Sequence, residues 1–63
     1  MKFNPKKLKL EMERAGVNQT ELARQMKTTK QAVNQWLKGK VKTFAIVNKI
    51  AKHFSLDGKD FVN

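Results

Sequence analysis

Lys30, Gln31, Asn34, Gln35 and Lys38 recur at the spacing that sets residues along one side of a helix. Carboxamides there can pair bidentately with adenine, and a lysine can donate to O6 and N7 of guanine. Val33, Trp36 and Leu37 fall on the other side and make that face apolar. A helix packed on one face, and polar without acids on the other, suits contact with base edges. The competing explanation is that Gln and Asn merely solvate an exposed helix. The neighbouring turn and the charge of the chain weigh against it.

These residues sit in a longer stretch, Asn18–Gly39, with the pattern of two short helices joined by a tight turn. Asn18 with Glu21 three residues on makes a capping-box-like start. A helix is predicted over about 19–26, with Leu22, Ala23 and Met26 as its apolar stripe. Ala23 falls where the two helices would cross, and close approach needs a small side chain. Lys27 and Thr28 form the turn, and Lys27 takes a position that often needs a left-handed backbone, where Gly is easier. Thr29 caps the second helix, predicted over about 30–38 and ended by Gly39.

The flanking chain supplies what must hold this pair. Asn4 before Pro5 is an N-cap followed by proline at the first helical position. Leu8, Met12 and Ala15 make one face, and Gly16 stops the helix. After the basic loop Lys40-Val41-Lys42, Thr43 can cap a helix carrying Ile46, Val47, Ile50, Ala51 and Phe54. Ser55–Gly58 breaks the chain, and Asp57 can cap a last short helix around Phe61. No sustained alternation signals a strand. The expected fold is all-α, five short helices in a single domain, 1–63.

Size and charge narrow the function. At 63 residues a core is marginal and must use nearly every apolar side chain. Without cysteine the chain has no disulfide and no thiolate metal site, which fits an intracellular protein held by packing alone. No apolar run approaches the roughly 20 residues that span a bilayer. The N-terminus starts basic but never becomes a secretory apolar stretch. Fourteen Lys and Arg against five acids leave a net charge of +9. Nucleic acid is the commonest partner for such an excess, ahead of an anionic membrane surface or plain solubility. Enzyme chemistry finds little footing. His53 is the single histidine and has no acid at ligand spacing. Glu11 and Glu13 point to different sides of their helix, and no glycine-rich phosphate loop is present. No cofactor, metal or small-molecule substrate is implied.

The stretch Asn18–Lys40 resembles the helix–turn–helix of the lambda-type phage repressors and Cro proteins, and of the wider Xre-like bacterial regulators. The resemblance rests on Gln19, Leu22, Ala23, Thr28-Thr29, Val33, Trp36 and Gly39. It continues through Thr43–Val62, with Ile50-Ala51, Phe54 and Asp60-Phe61, and so covers nearly the whole chain. It implies a DNA-binding domain of the lambda-repressor type. Carried over by position, Lys30 and Gln31 match the first base-reading positions, with Asn34 and Gln35 one turn further on and Gln35 the better placed. Ala32 could touch a thymine methyl. Gln19 matches a glutamine that contacts phosphate and braces the second helix. Thr29, Lys38, Lys40 and Lys42 are the remaining phosphate candidates.

Two departures stand out. Many members pair a partly buried Arg in the first helix with an acid near the end of the recognition helix. Those positions read Met12 and Leu37, so an apolar contact is expected in place of an ion pair. Ala45 stands where some relatives carry a basic residue near the minor groove.

The resemblance implies a sequence-specific transcriptional repressor, most like a small Cro-type protein, in the cytoplasm of a bacterial host. It would form a homodimer on a pseudo-palindromic operator, with recognition helices about 34 Å apart. A monomer in solution that pairs only on DNA fits equally well. Phe44 and Val47 are the dimer candidates, whereas Leu56 and Phe61 read better as core. From length alone, the chain reads as a whole small protein rather than a fragment. An antitoxin or a protein-interaction adaptor built on the same fold is the alternative.

Overall fold

A computed structural model describes residues 2–62; Met1 and Asn63, the ends of the expected domain, lie outside them. Four α-helices follow in order: α1 Pro5–Ala15, α2 Gln19–Gln25, α3 Lys30–Leu37 and α4 Phe44–His53. The fifth element is a 3₁₀ turn, Gly58–Phe61, and not an α-helix. Four residues cannot sustain an α-helical hydrogen-bond ladder, so the tighter form takes its place. Among the described residues the extended structure is a single antiparallel bridge between Phe3 and Val62.

Every α-helix starts where the sequence places a short polar cap. Asn4 accepts from the Lys7 amide at 3.4 Å, and Asn18 from the Glu21 amide at 2.8 Å. Thr29 accepts from the Ala32 amide at 3.1 Å, and Thr43 from the Ile46 amide at 3.4 Å. Each satisfies a backbone donor that the helix leaves unpaired, worth about 1 kcal/mol. Helix ends differ from expectation by one residue: Met26 and Lys38 are caps rather than last helical residues.

Leu8, Leu22, Val33, Val47, Ile50, Ala51 and Phe61 are sealed from solvent, with Met12, Ala23 and Trp36 nearly so. This core is contributed by all four helices and the closing turn. Val47 is 0% exposed, so it cannot serve as a dimer contact while the chain is folded. Phe44, one turn earlier, is 45% exposed. Both belong to the same stripe of α4. Gly58 of the C-terminal turn lies against the Phe44 ring, which nevertheless stays at the rim. Leu37 packs against the cluster that includes Met12, and both side chains line one groove. An apolar contact therefore occupies the place expected for it, and no charge is desolvated there.

The closing turn depends on a close approach. A Cβ on Gly58 would stand 2.5 Å from Asn48 Oδ1 and 3.2 Å from the Phe44 ring. Sequence reading treats Gly58 as a chain breaker, yet its role is to let the turn lie against α4. At the other end, the Asn4 amide donates to the Phe61 carbonyl at 2.6 Å. The Phe3 and Phe61 rings stack with centroids 6.2 Å apart.

Glu11 is the buried charge, 9% exposed, held by Lys7 Nζ at 3.0 Å and Arg14 Nη1 at 3.4 Å. His53 is exposed near the end of α4, with Nε2 2.9 Å from Gln25 Oε1 of α2.

Two positions test the backbone argument with opposite signs. Gly16 has φ +69° and Lys27 φ +55°. Gly16→Ala should cost about 1 kcal/mol, because an L side chain is strained there. Lys27→Gly should gain about 0.5 kcal/mol, relief of strain outweighing lost chain stiffness. Thermal unfolding reads both as shifts of roughly 4–8 °C per kcal/mol. Equal signs would refute the assignment.

Candidate nucleic-acid interface

The second and third helices pack closely because Ala23 is small at their crossing, while Leu22 and Val33 fill the space between. The turn between them is fixed by backbone bonds. The Lys27 amide donates to the Arg24 carbonyl at 3.2 Å, and the Thr28 amide to the Ala23 carbonyl at 2.8 Å. Lys27 takes the left-handed conformation expected of it. Trp36 and Val33 anchor α3 from behind.

The outward side of α3 forms an open depression lined by Gln19, Thr29, Lys30, Gln31, Ala32, Asn34 and Gln35. Every candidate base-reading residue lies on it. They are not alike in freedom. Lys30, Gln31 and Gln35 are exposed, whereas Ala32 and Asn34 are half-buried. The Asn34 amide donates to Gln19 Oε1 at 3.4 Å. This long bond ties the first residue of α2 to the middle of α3. Sequence reading sees Gln19 as a brace but not Asn34 as its partner, because the two are 15 residues apart. Thr29 spends its hydroxyl on capping α3.

Lys30 sits in the first turn of α3, which carries no acid. A cation there opposes the helix dipole, so its charge does not serve the helix. At the far end, Lys38 caps α3, and Lys40 and Lys42 follow in an exposed segment. Gly39, at φ +83°, turns the chain between them. The Lys40 amide donates to the Gln35 carbonyl at 2.9 Å, which holds the start of the loop against α3. A second, smaller depression groups Asn18, Gln19, Thr20 and Lys30 at the start of α2. Thr20 is thus a neighbour of the site that the linear pattern does not single out.

A free polar face, cations at both ends and a rigid apolar back define a helix–turn–helix unit. The family model described as helix-turn-helix matches residues 8–61, and the chain belongs to that family. Neither the curated proteins nor the solved structures give a match to the chain. Double-stranded DNA binding and transcription regulation follow from membership as the general function, and the family is a regulatory rather than a catalytic one. No helix among the described residues is long and apolar enough to cross a membrane.

The Gln19–Asn34 tie can be isolated by a double-mutant cycle. Gln19→Ala and Asn34→Ala should each change stability slightly, with a coupling of about 0.5–1 kcal/mol between them in urea unfolding. Strict additivity would show that the bond does not hold the two helices in register.

Proposed function

We propose that the chain is a transcriptional repressor of the phage Cro type that binds a pseudo-palindromic operator as a homodimer. One observation carries this reading. Lys30, Gln31 and Gln35 share an exposed face that the core does not use, on a helix whose other face is buried. Gln31 and Gln35 would read adenine edges and Lys30 a guanine. Ala32 lies at their side, where a thymine methyl would fit. Asn34 and Gln19 act together, Gln19 meeting a phosphate while Asn34 orients it. Thr29, Lys38, Lys40 and Lys42 would set register on the backbone, which fixes affinity but not sequence.

A single helix offers few base contacts, so two copies on one operator are expected. Phe44 supports a contact between them. It is one of two large apolar side chains left open among the described residues, and it lies over Gly58 at the rim of α4. Phe44→Ala should weaken binding to a full palindrome by roughly tenfold, the loss of an aromatic anchor, and leave a half-site unchanged. Equal loss on both would place Phe44 outside the dimer contact.

Selection from a random duplex pool gives the operator. Gln31→Ala should then relax preference at one base step by about 1–3 kcal/mol. Lys40→Ala should weaken all duplexes alike and lower the salt slope by about 1. If Lys30→Ala and Gln31→Ala leave every DNA affinity untouched, the face serves a protein partner instead.

A further inference from the structure

We propose that α1 adds a second phosphate grip, carried by Lys6 and Lys9. It rests on the DNA-binding reading above and enlarges the surface that touches the duplex.

The two lysines are one helical turn apart and both exposed. They rim a groove whose walls include Met12, Val17, Leu37 and Gln19. Gln19 also lines the depression formed by the proposed reading residues. The groove and the reading face are therefore adjoining parts of one surface. The start of α1 reaches the other anchor as well. A Cβ on Gly39 would lie 3.7 Å from Pro5 Cγ, so Pro5 sits against the bend between Lys38 and Lys40. Lys6 follows directly. Basic residues thus run from the loop after α3 onto α1.

The charges of α1 are divided in a telling way. Its buried carboxylate, Glu11, pairs with Lys7 and Arg14. Lys6 and Lys9 make no ion pair among the described residues. Glu13 shares the groove, one acid beside two lysines. The first turn of α1 carries no acid, so Lys6 stands against the positive end of its own helix. Neither helix stability nor internal pairing accounts for these two cations. A local conflict of this kind is expected where function sets the residue. Met12 and Leu37 give the groove an apolar floor, which suits the methylene stems of lysines whose ammonium groups reach outward. Phosphate oxygens are the partner that unpaired cations beside a base-reading face would meet.

The test is binding of the full chain to a random-sequence duplex and to a selected operator, across a range of salt. Lys6→Ala and Lys9→Ala should each reduce the slope of log affinity against log salt by about 0.9, and the double variant by about 1.8. The loss should be equal on both duplexes, because phosphate contacts carry no sequence. Lys6→Gln/Lys9→Gln, which keeps good helix formers, should lose as much slope as the alanine pair. Lys49→Ala/Lys52→Ala removes the same charge from a separate depression beside Met26 and His53 and should leave the slope nearly unchanged. An unaltered slope in both double variants, with Lys40→Ala still losing its share, overturns the α1 grip alone and gives the groove to another partner, such as an acidic protein. Absence of salt-dependent binding by the unmodified chain overturns the grip together with the reading it rests on.

Discussion

The two ends of this chain hold each other, and the platform depends on that clasp. Phe61 is fully buried, stacks on Phe3 and Phe54, and offers its carbonyl to the Asn4 amide. The clasp brings α1 beside the closing turn, and the turn in turn covers α4. α3 rests on α1 and α2, with Val33 and Trp36 buried in the shared apolar core. A chain this short has no disulfide to replace these contacts. Its stability is the small residue of large opposing terms, so one sealed aromatic can decide whether the recognition unit is held at all.

The site is built by separating tasks. The buried letters of α3 fix where the helix lies; the open letters carry no structural duty. Asn34 stands between, half-buried and tied to Gln19. Cations gather at the termini of α3 and along the following loop: Lys30 opposes the helix dipole, Lys38 complements it, and Lys40 and Lys42 face solvent. Together they make this side of the molecule attractive to a polyanion.

Much of this was legible because the signals are local. Asn4, Asn18, Thr29 and Thr43 announce helix starts through a bond three residues long, and all four make that bond. Lys27 is readable as left-handed because the short turn leaves little choice. What escaped depends on distant partners. Val47 and Phe44 look equivalent on the α4 stripe until packing seals one and leaves the other at the rim. Glu11 looks like any helix-surface acid paired with local neighbours, and only the packed fold shows that it is buried. Gly58 looks like a chain breaker until Asn48 and Phe44 are seen to crowd it. Ser55, at φ +59°, carries no residue type that advertises the left-handed region. The open polar face of α3 was legible by pattern, but the Gln19–Asn34 tie spans the turn and needed the packed structure.

The division of labour on α3 also bears on how such a protein can change over generations. The side chains of Lys30, Gln31 and Gln35 make no hydrogen bond or ion pair among the described residues, so exchanging any of them leaves the core as it was. That face can change through single steps that are nearly neutral for folding. Asn34 and Gln19 are different: altering one removes the other's partner, so changes at the two positions are coupled. α3 thus holds letters that can be rewritten one at a time beside one, Asn34, whose spelling is coupled to a letter on α2.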